Sequence, residues 1–204
     1  MSKTVRPPIA KAIDLSAPYF EAPTPRSADL VLYVDFDGVL QHQSVFWHPR
    51  RGVFISQKEA PGHSLFEWTH HLEAALVNYP DVRLVLSSTW CIKPGYGKAL
   101  KRLPIALRAR FIGGTFHRRV HSADPWALDS FRRTPRWLQI WNDVKRRKPA
   151  HWLALDDDVG DWPAEHQSNL VACDGNTGLS CLRVQAELRD KLEQFAGQDN
   201  ASAG

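Results

Sequence analysis

Two aspartates one residue apart, Asp35 and Asp37, close the run LVLYVDFDGVL at residues 30–40. On an extended chain their side chains leave the same face, while Phe36 points the other way. Paired carboxylates at that spacing can share a phosphoryl transfer. One attacks phosphorus and the other handles the leaving-group proton. A covalent aspartyl-phosphate then splits hydrolysis into two easier steps. Gly38 follows and lets the chain turn sharply past the site. Two further apolar runs end in polar groups: LVLSS in Ser87 and Ser88, and LALDDD in Asp156, Asp157 and Asp158. Several ionised carboxylates at the ends of buried strands are costly, and their mutual repulsion adds to the cost. A divalent cation removes that difficulty, and an all-oxygen donor set suits Mg²⁺. The hydroxyl of Ser87, or of its neighbour Ser88, could bind a phosphoryl oxygen. A cation such as Arg136 or Lys148 could offset charge on nucleophile and phosphoryl group.

Strands alternating with helices must position these groups. DLVLYVDFD does not alternate and reads as a strand buried on both faces, as do DVRLVLSSTW and HWLALDDD, with NLVACD a fourth. VFWHPRRGVFIS (residues 45–56) reads as a hairpin. Leu65, Trp68, Leu72, Leu76 and Tyr79 recur at helical spacing up to Pro80. GYGKALKRLPIALRARFIGGTF reads as two short helical pieces and a short strand. TPRWLQIWNDVKRRK predicts a helix with Thr134 as N-cap and Pro135 at its first position. LSCLRVQAELRDKLEQF closes the fold as an amphipathic helix. The fold class is therefore α/β, with a mainly parallel, Rossmann-like sheet flanked by helices. In such sheets ligands bind beyond the carboxyl ends of the strands, which is where the polar groups lie. Trp47 and Trp90, near the hairpin and the second strand end, are candidates to line a cleft there.

At 204 residues, 43% of them apolar and 24% charged, the chain has room for one well-covered domain. Residues 1–28 read as a poorly ordered arm, 29–196 as the domain and 197–204 as a flexible tail. No run is long and apolar enough for a membrane span, and the N-terminus lacks the apolar core of a secretory signal. Three cysteines without a C-x-x-C pair suggest neither a disulfide framework nor a zinc site. A cytoplasmic protein with no membrane partner is expected, and no pattern sets an oligomeric state. The net charge of +4 is unevenly spread: residues 91–150 hold 15 Lys and Arg against three acids. Such a segment suits a phosphate-rich partner.

DFDGVL resembles the first motif of the haloacid dehalogenase (HAD) superfamily, LVLSS its second and LALDD its acidic fourth. Over roughly residues 30–182, LSSTW, the Gly-Gly-Thr segment, TPRWLQIW, LALDDD and TGLS are similar to the small HAD domains found in RNA-repair proteins. The resemblance implies Asp35 as nucleophile and metal ligand, and Asp37 as general acid and then base with its carbonyl on the metal. It further implies Ser87 as phosphate ligand and Asp156 and Asp157 as Mg²⁺ ligands. The superfamily usually has a lysine in its third motif. Here Arg136, which opens the helix before the fourth-motif strand, takes that place, with Lys148 the alternative. Only the hairpin stands where the superfamily inserts a cap, so a small flap over an open site is expected. The function implied is a Mg²⁺-dependent phosphomonoester hydrolase acting on a phosphorylated substrate, with a nucleic-acid end among the candidates. The rival is a HAD-like module with little turnover that binds nucleic acid or protein through residues 91–150.

Overall fold

The computed structural model describes residues 26–121 and 125–202. The expected arm at 1–28 therefore lies outside the described residues except for its last three. Strand β1 (Leu30–Val34) is buried along its whole length. A hairpin of β2 (Val45–His48) and β3 (Gly52–Ile55) and helix α1 (Thr69–Leu76) follow. Next come β4 (Arg83–Leu86), α2 (Tyr96–Leu100), α3 (Ile105–Ala109) and β5 (Phe111–Gly114). The chain continues through α4 (Arg118–His121), α5 (Pro125–Arg133) and α6 (Arg136–Arg147). It ends with β6 (His151–Asp156), β7 (Leu170–Ala172) and α7 (Leu182–Ser202). The main sheet has the order β5-β4-β1-β6-β7 with every pairing parallel. Strand order reverses between β1 and β6, which makes their carboxyl ends a topological switch point.

The alternation of β1 divides the interior in two. Leu30, Leu32 and Val34 join the larger core with α1 and α7, while Val31 and Tyr33 pack with Ile140 and Val144 of α6. Full burial of each such aliphatic side chain contributes about 1.5–3 kcal/mol. A polar tie adds direction on the α6 side: the Tyr33 hydroxyl donates to Asp143 at 3.2 Å, and Arg147 also pairs with that carboxylate. Asp35, two residues beyond Tyr33, therefore leaves the strand toward α6.

The local departures from expectation have physical causes. Thr134 does not cap α6, because its hydroxyl and amide both bond back to Ser130 at the end of α5. Pro135, extended at φ −52° and ψ 146°, is the cap residue, so Arg136 opens the helix. Helix α1 begins at Thr69 rather than near Leu65, since Phe66 sits at φ 61° with its amide held by the Gln41 side chain. Helices α4 and α5 occupy a stretch whose sequence announces no element. Helix α7 runs on to Ser202, into the segment read as a tail. Among the described residues no helix is long and apolar enough to cross a membrane.

Candidate active site at the carboxyl edge of the sheet

The parallel ladder continues one residue past the strands and sets the acids side by side. Asp35 N–H donates to Leu155 O at 3.1 Å, Ser87 N–H to Val34 O at 3.0 Å and Cys173 N–H to Asp156 O at 2.9 Å. Carboxylate oxygens of Asp35, Asp156 and Asp157 all lie within 4.8 Å of one another. Asp35 and Asp156 are buried, Asp156 completely. Arg136 reaches in from the first turn of α6, with Nη2 at 3.1 Å from Asp35 Oδ2 and Nε at 3.5 Å from Asp156 Oδ2. Its buried Nε–H has no hydrogen-bond acceptor among the described residues. Burial disfavours the charge of Arg136, but the carboxylates of Asp35, Asp156 and Asp158 more than offset this and hold its pKa up.

The acids of the cluster titrate unlike free carboxyls. Burial first, and then the neighbouring Asp35, push Asp37 up to about 7 and Asp157 up to about 6. Asp156 is raised well above the ordinary range, chiefly by burial, although Arg136 opposes the rise. Such a group of hard oxygen donors, costly to ionise together, fits a divalent cation that would share them. Gly38 makes room for the grouping. It adopts φ +69°, and a Cβ there would run into the Asp157 carboxylate.

Asp37 stands apart from that trio by its own contacts. Trp90 Nε1–H donates to its two oxygens at 2.9 and 3.0 Å, and Gln41 Nε2 donates to Oδ1 at 2.6 Å. Trp90 is itself wedged against Phe36 and Phe66, so the donor cannot drift. The hydroxyl of Ser87 donates to Asp156 Oδ2 at 3.4 Å. Ser88 instead accepts from Trp90 N–H and caps the turn at Thr89–Cys91. Lys148 is not brought to the cluster. It is exposed at the far end of α6, about 18 Å along the helix from Arg136 at 1.5 Å per residue. No strong sequence pattern marks Gln41, and the sequence suggests Trp90 only as a cleft wall. The spacing of Gln41 four residues after Asp37 was the one available signal, and a weak one.

A cleft of about 330 Å³ opens beside Arg136, lined by Thr89, Ile92, Lys93, Phe131, Arg132 and Gln139. Lys93 Nζ lies 3.0 Å from the ring centroid of Trp47 on the hairpin. The family described as the HAD domain in Swiss Army Knife RNA repair proteins matches residues 31–184. No curated protein and no solved structure matches the chain.

Proposed function

This chain belongs to the family of HAD domains in Swiss Army Knife RNA repair proteins, and on that premise we propose that it is a Mg²⁺-dependent phosphomonoester hydrolase working through an aspartyl-phosphate on Asp35. The convergence of Asp35, Asp156, Asp157 and Arg136 at the switch point carries the reading. Asp35 attacks phosphorus as the bond to the leaving oxygen breaks, and Asp37 gives that oxygen its proton. Asp37 then takes a proton from water, which attacks the acyl phosphate and releases inorganic phosphate. A carboxyl titrating at about 7 suits both halves of that cycle. Trp90 and Gln41 hold its orientation, each donating to an oxygen and leaving the proton free for the reaction. The Arg136 Nε–H, which has no hydrogen-bond acceptor among the described residues, can donate to a phosphoryl oxygen, and the Ser87 hydroxyl can do so once it turns from Asp156. Mg²⁺ would be held by Asp35, Asp156 and Asp157, with the Asp37 carbonyl added by the resemblance, and supplies charge neutralisation between nucleophile and phosphoryl oxygens.

The substrate we propose is the terminal phosphate of a nucleic acid. The basic 91–150 segment, the exposed cations at the cleft and the family's description as RNA-repair domains support it. The test is phosphate release from an aryl phosphate and from end-phosphorylated oligonucleotides, in Mg²⁺ and in EDTA, beside Asp35→Asn. Turnover that needs Mg²⁺ and disappears in the variant is expected. No Mg²⁺-dependent turnover, with salt-sensitive oligonucleotide binding that survives in Asp35→Asn, would replace the enzyme with a binding module.

A further inference from the structure

The hairpin leaves two large aromatic side chains in solvent. Phe46 is 43% exposed and Trp47 46% exposed, on adjacent positions of β2 and so on opposite faces of the hairpin. The face bearing Trp47 also carries Val45, Val53 and Ile55, which pack toward the main core. Trp47 is thus turned inward over the body of the protein without being covered by it. What it meets there is Lys93, whose ammonium lies over the indole ring. Lys93 shares the cleft wall with Arg132 and Arg136, and Arg136 touches Asp35. A continuous path therefore runs from an exposed indole, through three cations, to the proposed nucleophile. On the other face Phe46 and Phe54 pair across the strands with their rings 6.2 Å apart, and the Arg51 guanidinium lies 4.7 Å from the centre of the Phe54 ring.

An apolar core does not need an indole half in water, and a small phosphate ester does not need a cleft of about 330 Å³ walled by Lys93 and Arg132. An aromatic ring beside a row of cations is the arrangement that binds a single strand. Bases stack on the ring, and Lys and Arg take the phosphates between them.

Resting on the phosphatase reading above, we propose that the face of Trp47 not covered by Lys93 is a base-stacking platform for a single-stranded nucleic-acid end, with Lys93 and Arg132 on the phosphate next to the one hydrolysed. Stacking needs no hydrogen-bond readout, so the grip tolerates any base. It favours single strands, because a paired and stacked end has no free base face to offer.

The first experiment measures binding, so that it does not depend on turnover. Fluorescence anisotropy of a labelled, end-phosphorylated oligonucleotide of about six nucleotides would be followed with Asp35→Asn protein in Mg²⁺. The same titration would be run with Trp47→Ala and Trp47→Phe in that background. The alanine variant is expected to bind about 5- to 150-fold more weakly, the range of one base–aromatic stack. The phenylalanine variant is expected to recover most of the loss. With otherwise wild-type protein, Trp47→Ala should lower kcat/KM for the oligonucleotide relative to that for an aryl phosphate by a similar factor, through KM. Equal binding by the tryptophan and alanine proteins would overturn the platform. So would an equal fall in both substrates' kcat/KM, which would make Trp47 merely structural. If the wild-type protein hydrolyses neither substrate while Trp47→Ala still weakens binding, the platform stands and the phosphatase reading fails.

Discussion

Replacing Asp37 with asparagine should make the metal-free protein more stable while removing its catalysis. The carboxyl of Asp37 is raised from 3.8 to about 7, by burial and then by Asp35. A folded-state value above the unfolded one means that the native protein binds the extra proton between those limits. Stability is therefore lost as pH rises from about 4 to about 7, and the loss is complete above that. At about 1.4 kcal/mol per tenfold change the shift corresponds to about 4 kcal/mol. Because the residue is only partly buried, solvent screening reduces the expectation to about 2 kcal/mol. Asparagine keeps an acceptor for Trp90 and Gln41 and discards the charge. Urea unfolding in EDTA at pH 8 should therefore show Asp37→Asn more stable by about 2 kcal/mol, with the difference vanishing near pH 4. Mg²⁺-dependent turnover should fall about 10²- to 10⁴-fold, the worth of a positioned acid and base. A variant less stable than wild type at pH 8, or a gap that does not grow with pH, would refute the argument that this carboxyl is held against its own charge.

Three further outcomes follow from single positions. Gly38→Ala should cost about 1–3 kcal/mol of stability by urea unfolding and weaken Mg²⁺ binding by calorimetry, since φ is +69° and the new methyl meets the Asp157 carboxylate. Lys148→Gly should stabilise the protein by about 0.5–1 kcal/mol and leave turnover unchanged, because Lys148 ends α6 in the left-handed region at φ 51°, far from the acids. Burial, and then His117 and Arg146, hold His121 down at about 4, so the native state resists a proton that the unfolded chain accepts below 6.5. Stability should fall as pH drops from about 6.5 to about 4, and His121→Gln should flatten that part of the profile in urea titrations.

The parts of the site that were legible are those fixed by single strands. An apolar run that does not alternate and then breaks into acids identifies β1 and β6 and the end of each at once, because charge enters within one residue. The alternation of β1 even sets the face on which Asp35 leaves. The contacts of Asp37 were not legible, since Trp90 is 53 residues away and reaches it only through the turn that Ser88 caps. Arg136 and Lys148 could not be separated by composition. The first turn of α6 adjoins the acids and the last turn adjoins the opposite edge of the sheet, and only the antiparallel run of helix against strand decides between them. Thr134 misled for a local reason: a hydroxyl before a proline signals a cap, but here the carbonyl of Ser130 competes for it and wins.

The central place of β1 also bears on how the chain is made. Its two neighbours in the sheet, β4 and β6, come from residues 83–86 and 151–156, so β1, the first strand among the described residues, waits for both. Asp35 and Asp156 are 121 residues apart, an interval of about 6–24 s at about 5–20 residues per second of synthesis. Until β4 emerges LVLYV has two unpaired edges, and until β6 emerges it still has one, a template for association with other nascent chains. The two aspartates that follow it carry charge beside that strand before there is any metal site to hold. The same residues can thus serve as gatekeepers during synthesis and as chemistry afterwards.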